Sequence, residues 1–321
     1  MPAEDSIGLR GPEYPMDIER GKIRDFARAM NAPLPEYIDY EHPPVPATFL
    51  ITAAYSWGYS LERPRGTAFE GIDHDLSVPL HAEESFTFHQ ALPRAGERLN
   101  CRASLEKVWR KRGGRGGDLT FLTMLTEFRA QDGALVAEER STTVTTENAP
   151  DAGDWSVDIP EYRPEYPANL DGGNPFADIE RVAWDDLEAG SSPGTIETGP
   201  LLIGDIVRFQ SVVGEDNPLH YDLVWARKQG YPNVFGLGSH QASMLAGLAA
   251  HWLDPGAIRF FKARFRNLFW PGESLAYRAQ VARKYIDVDS GHRIAELDLV
   301  CSRNGDDPVV DAWMTLDFDY R

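Results

Sequence analysis

Apolar and polar positions alternate along two long stretches of the chain, 81–147 and 258–319, with the period of two expected of half-buried strands. Gly-containing turns interrupt both stretches, and Asp132-Gly133 marks one hairpin. Ala95-Gly96-Glu97-Arg98-Leu99 in the first stretch lines up with Pro271-Gly272-Glu273-Ser274-Leu275 in the second. Upstream of each, the period changes to that of a helix. IRDFARAMNAPLPEYIDY (23–40) matches IVRFQSVVGEDNPLHYDL (206–223), with Ile23/Phe26 and Ile206/Phe209 on one helical face. An apolar run follows each, PATFLITAAYSWGYSL (46–61) and SHQASMLAGLAAHWL (239–253). The interior of the second is apolar nearly all round, which predicts a buried helix, with Ser239 placed to cap it.

The chain thus repeats itself once. Between the copies lies a stretch rich in Pro, Gly, Asp and Asn without apolar periodicity, as expected of a linker. The pattern predicts an N-terminal unit over 1–150, a linker over 151–178 and a C-terminal unit over 179–321. The fold class is α+β, in two units with antiparallel sheets.

Composition narrows the function. The 321 residues are 42% apolar, enough for a core in each half, and carry a formal charge of −18. That charge repels nucleic acid and anionic membranes, and an anionic ligand needs a local basic pocket. Two clusters qualify: Lys107, Arg110, Lys111, Arg112 and Arg115, and Arg259, Lys262, Arg264 and Arg266. Cys101 and Cys301 match no metal-ligand spacing and read as core residues in a reducing compartment. No phosphate loop or Gly-x-Gly-x-x-Gly pattern is present, so neither a cofactor nor a metal is expected. With no leader segment and no membrane span, the expectation is a soluble, cytoplasmic protein. The aromatic-rich RFFKARFRNLFWPG (259–272) reads as a core-facing strand and not as a stacking surface for bases.

VVGEDNPLHYD (212–222) concentrates the chemistry, with Glu215, Asp216, Asn217, His220 and Asp222 in close succession. Pro218 breaks a continuous helix and favours a turn that aims a carboxylate and an imidazole at one water. In isolation the stretch reads better as a solvated Asx-Pro turn, and its flanking register and the buried helix that follows favour the functional reading. Asp222 orders the turn, and Asp216 is the alternative base. At the aligned first-half positions stand Ala32 and Tyr37, so one acid–base pair per chain is expected. His74 and His81 read as loop and strand residues, and His240, His251 and His292 as residues without partners.

With its flanks, this stretch resembles the signature of the MaoC-like (R)-specific enoyl-CoA hydratases and hydroxyacyl dehydratases. Gly214, Asn217, Pro218, Leu219, His220, Asp222, Ala226, Gly230 and Gly238 fall in register, and ARFRNLFWPGESL is similar to the family's later strand and turn. LHAEESFTFHQALPRAGERL and KRGGRGGDLTFLTMLTEF are similar to the dehydratase-like domain often fused N-terminally to such units. Two positions depart: Glu215 stands where the family has Asp, and Leu237 where it has His. The resemblance implies a tandem (double) hotdog, each unit a sheet wrapped around a central helix, whose degenerate half widens the tunnel for bulky acyl groups. It implies reversible hydration of a trans-2-enoyl thioester on CoA or acyl-carrier protein, and a homodimer. Glu215 and His220 would be the acid–base pair, and Asn217 would hold the loop or a substrate group. Backbone N–H groups of Gly238 and Ser239 would polarise the thioester carbonyl. Arg110, Lys111, Arg112, Arg264 and Arg266 are the candidates for the CoA phosphates. The alternatives are a hotdog thioesterase and a non-catalytic acyl-binding or partner subunit.

Overall fold

A computed structural model describes residues 3–58, 66–72, 80–113, 117–146 and 173–320. Alternation yields the strands β1 (Tyr14–Asp17), β2 (Leu80–Phe88), β3 (Arg98–Arg112), β4 (Asp118–Arg129) and β5 (Leu135–Thr146) in the first half. The second half has β6 (Thr195–Thr198), β7 (Ile258–Phe265), β8 (Leu275–Ile286), β9 (Arg293–Arg303) and β10 (Asp307–Asp317). They form one 10-stranded sheet, ordered β1-β3-β4-β5-β2-β7-β10-β9-β8-β6. Read outward from its centre, the two halves have the same strand order. The join is antiparallel pairing of β2 with β7, from Glu83↔Arg264 to Thr87↔Phe260. The repeated turns also match: Gly96 and Gly272 take φ of +96° and +95°, a region open mainly to glycine.

Helices fill the concave side. They are α1 (Arg20–Ala29), α2 (Pro35–Ile38), α3 (Thr52–Ser56), α4 (Ile203–Val213), α5 (Leu223–Lys228) and α6 (Gly238–Trp252). α1 and α4, aligned in the repeat, pack on each other through Phe26 and Phe209, whose ring centroids are 5.6 Å apart. α6 is buried from Ser239 to Trp252, as its all-round apolarity requires, and it contacts β7, β8, β9 and β10. A single apolar core runs through both halves, from Tyr14 and Phe26 to Leu248 and Met314.

One sequence expectation of the helices needs correction. Ser239 does not cap α6: Leu237 holds the cap position without a side-chain hydrogen bond, and Ser239 lies in the first turn, where its carbonyl accepts from Ser243 Oγ at 2.8 Å. The first-half apolar run forms shorter helical pieces than the second. Its described part is a 3-10 turn (Phe49–Ile51) followed by α3, which ends at Ser56. At Gly58 the backbone passes so close to β1 that a Cβ would lie 2.3 Å from the Tyr14 ring. Among the described residues, no helix is long and apolar enough to cross a membrane. Most of the expected linker, 151–172, lies outside the described residues.

Candidate active site

The Glu-Asp-Asn-Pro-Leu-His stretch becomes a rigid corner through local bonding. Gly214 ends α4 with φ +91°, and a Cβ there would meet Ser56 Oγ at 2.9 Å, so glycine meets both the conformational and the space requirement. Asn217 Oδ1 accepts from Leu219 N at 3.1 Å and starts the 3-10 turn Pro218–His220. Gln210 Nε2 donates to the Asn217 carbonyl at 3.1 Å, tying the corner back to α4. Asp222 Oδ1 accepts from Trp225 N at 3.0 Å and caps α5, as its turn-ordering reading expects.

His220 is buried, and its Nδ1 lies 2.9 Å from the Phe235 carbonyl. A carbonyl only accepts, so Nδ1 carries the hydrogen and Nε2 presents a lone pair. Nε2 lies 3.7 Å from Glu215 Oε1. Burial pushes the His220 pKa down to about 4, which keeps the ring neutral at ordinary pH. Asp216, by contrast, is exposed, and its carbonyl accepts from the Tyr221 hydroxyl at 3.2 Å.

Glu215, Asn217 and His220 line a cavity of about 550 Å³ whose wall includes Gly236, Leu237, Gly238 and Ser239. The N-terminal end of α6 therefore borders the space that the acid–base candidates face. Gly238 permits this only because it lacks a side chain: a Cβ would sit 2.4 Å from the Phe265 ring. The opposite wall comes from the first half, from Ile51 and Tyr55 near α3 and from His81, Leu119, Phe121 and Ser141 on the sheet. The first-half equivalents of the catalytic candidates are packing residues, Ala32 and Tyr37, both buried. Ala32 nests against Gly247 of α6, where a Cβ would lie 2.5 Å away.

The basic candidates are distributed unevenly. Arg266 lines the cavity, with its guanidinium 3.2 Å from Asp311. Arg264 pairs with Glu83 at 2.7 Å on the outer sheet face, and Arg110 pairs with Glu4 at 3.1 Å. Lys111 and Arg112 stand at the end of β3, opposite Leu119 and Asp118, and Leu119 reaches the cavity wall. Arg115 and His74 lie outside the described residues.

Three histidines expected to lack partners have them. His240 stacks on Phe209 at 4.7 Å, His251 Nε2 lies 2.9 Å from Asn174 Nδ2, and His292 Nδ1 lies 2.8 Å from Asp317 Oδ2. Sequence spacing missed these three pairs because their members stand 25 or more positions apart.

Two glutamates also escaped the sequence reading. Glu84 and Glu139 are buried on the inward sheet face, and neither Glu84 oxygen finds a hydrogen-bond partner among the described residues. Burial raises both carboxyls well above the ordinary range, and the negative charges of Glu139 and Glu215 push Glu84 further. Strict alternation was the signal, since it puts Glu84 on the face of Phe86 and Phe88, and Glu139 pairs with Phe86.

Residues 6–139 match the family model of the FAS1-like dehydratase domain region. A UPF0336 protein of Streptomyces coelicolor is 30% identical over 106 residues, which are 30% of this chain and 66% of that protein. The chain thus spans just under two thirds of that relative. The enoyl-CoA hydratase ChsH3 of Mycobacterium tuberculosis is 26% identical over 242 residues, 74% of this chain and 72% of that protein. A solved MaoC-like dehydratase superposes over 99% of this chain and 100% of its own, with a TM-score of 0.76 and 23% identity. A Mycobacterium tuberculosis protein with a double hotdog fold covers 98% of each chain, with a TM-score of 0.58 and 14% identity.

Proposed function

We propose that this chain, which has the double hotdog fold and is similar to a MaoC-like dehydratase and to the enoyl-CoA hydratase ChsH3, catalyses the reversible hydration of a trans-2-enoyl thioester to the (R)-3-hydroxyacyl form, with CoA as carrier. The observation that carries the reading is the convergence of Glu215, His220 and the α6 N-terminus on one cavity.

Both side chains act as acceptors toward a water placed between them. His220 Nε2 takes a hydrogen bond from one O–H and the Glu215 carboxylate from the other, which turns the oxygen lone pair toward C3. Glu215 removes a proton as the oxygen bonds to C3, and the C2–C3 π electrons move toward C2 and the thioester oxygen. The N–H groups of Gly238 and Ser239 stabilise the charge on that oxygen. The Glu215 proton then passes to C2, so one water supplies both the hydroxyl and the hydrogen, and the carboxylate is restored. Asn217 holds the corner that aims the pair. The extra methylene of Glu215 is accommodated by the Gly214 turn, which leaves the carboxylate within 3.7 Å of His220.

Incubating the purified chain with crotonyl-CoA and with longer and branched enoyl-CoAs, while following enoyl absorbance and free thiol separately, tests the proposal. Loss of enoyl signal without thiol, with an (R)-3-hydroxyacyl product on chiral separation, is the expected result. Thiol release identifies a thioesterase, and no reaction across the panel a binding role.

A further inference from the structure

His81 lies on the first-half wall of the same cavity that Glu215 and His220 line. A run of contacts leads to it from the α6 N-terminus. Phe265 covers Gly238, and the His81 ring rests against that same Phe265 with centroids 4.7 Å apart. Past His81, Nε2 lies 3.1 Å from Ser141 Oγ, and Ser141 also lines the cavity. Around this pair the wall is mostly apolar, with Leu80, Leu119, Phe121 and Val144, and Thr143, opposite His81 in the sheet, adds a hydroxyl that has no hydrogen-bond partner among the described residues. A hydrogen-bonding pair set in an apolar wall is costly to desolvate unless a ligand or the pair itself satisfies it.

Burial pushes His81 down to about 4, so the ring is neutral, while a backbone hydrogen bond at Glu83 acts in the opposite direction. A backbone group that favours the protonated ring is a carbonyl accepting from a ring N–H. With that hydrogen on Nδ1, Nε2 is an acceptor and the Ser141 hydroxyl donates to it. The lone pairs of Ser141 Oγ remain for the cavity, and they accept only.

We propose that His81 and Ser141 form a hydrogen-bond-accepting station for a donor group of the bound thioester, a hydroxyl or an amide N–H; this rests on the thioester reading above. A keto or ether oxygen has no hydrogen to offer and is not selected. Two parts of a thioester carry such a donor: a hydroxyl on the acyl chain beyond C3, and an amide N–H of the carrier's pantetheine arm.

Isothermal calorimetry on the intact chain with saturated thioesters, which cannot be hydrated, reads the station without catalysis. One arm compares a medium-chain acyl-CoA with analogues bearing a single hydroxyl at successive carbons beyond C3. The other compares the natural carrier arm with analogues in which an ester replaces an amide. The wild type is expected to prefer the donor-bearing ligand of one pair by about three- to tenfold, the worth of one neutral hydrogen bond. Ser141→Ala is expected to erase that preference and Ser141→Thr to retain it. Preference in the first arm assigns the station to the acyl group, and in the second to the carrier. Binding without either preference, or a preference that survives in Ser141→Ala, overturns the station alone. A wild type that binds no thioester refutes the proposed function and the station with it.

Discussion

Buried ionisable side chains dictate how the stability of this protein responds to pH. Burial pushes His81, His220 and His240 each down to about 4, Glu139 up to about 8 and Glu84 well above its ordinary range. In the unfolded chain these groups titrate at about 6.5 for His and about 4.3 for Glu. Between about pH 4.5 and 6.5, unfolding therefore takes up protons on the histidines and releases them from the glutamates. Each net proton is worth about 1.4 kcal/mol of stability per pH unit. At about pH 5.5 nearly three protons are taken up and nearly two released, so acid lowers stability by only about 1 kcal/mol per unit. Above about pH 7 the histidines are neutral in both states, and only the release remains. Stability then falls with rising pH, approaching about 2.7 kcal/mol per unit, until the folded-state carboxyls ionise. The maximum lies near about pH 6. His251, lowered by burial, and His292, raised by its bond to Asp317, act in opposite senses in the acid window. Urea unfolding between pH 5 and 8.5, on wild type, Glu84→Gln and Glu139→Gln, measures the curve. The wild type is expected to lose several kcal/mol from about pH 6 to 8, and each variant about 2 kcal/mol less. A flat curve over that range, or an unchanged loss in both variants, would refute the burial of protonated carboxyls beside the site.

Other expectations concern the reaction. Glu215→Gln should lower kcat by about 10²- to 10⁴-fold with an unchanged circular dichroism spectrum, and Asp216→Asn by less than about threefold. The opposite ranking moves the base to Asp216. Since His220 stays neutral down to about pH 4, kcat should be level between about pH 5 and 7, and an acid limb centred near 6.5 contradicts the buried neutral ring. Gly238→Ala brings a Cβ to 2.4 Å from Phe265 and should cost about 1–3 kcal/mol in Tm-derived stability while raising KM. Unaltered stability and KM would show that Phe265 does not pin the α6 N-terminus.

Much of the site was legible because its determinants are local. The Asn217 turn, the Pro218 break and the Asp222 cap are set by bonds spanning two or three residues, and residue type alone implies them. The α6 core helix was legible from its apolarity, and so was its start at Gly238, but not that Leu237 takes the cap position. No side chain caps its first turn for a local rule to detect.

The sequence by itself determined a duplicated antiparallel α+β chain, the pairing of its turns and the one half that carries the Glu215–His220 pair, since alternation, glycine turns and residue type are local properties. Only the tertiary structure decided what that pair faces. Joining β2 to β7 brings His81 and Ser141 from one half into the same cavity as Glu215 and His220 from the other. Glu84, Glu139 and His220 are buried, and burial, which no single segment contains, sets their protonation.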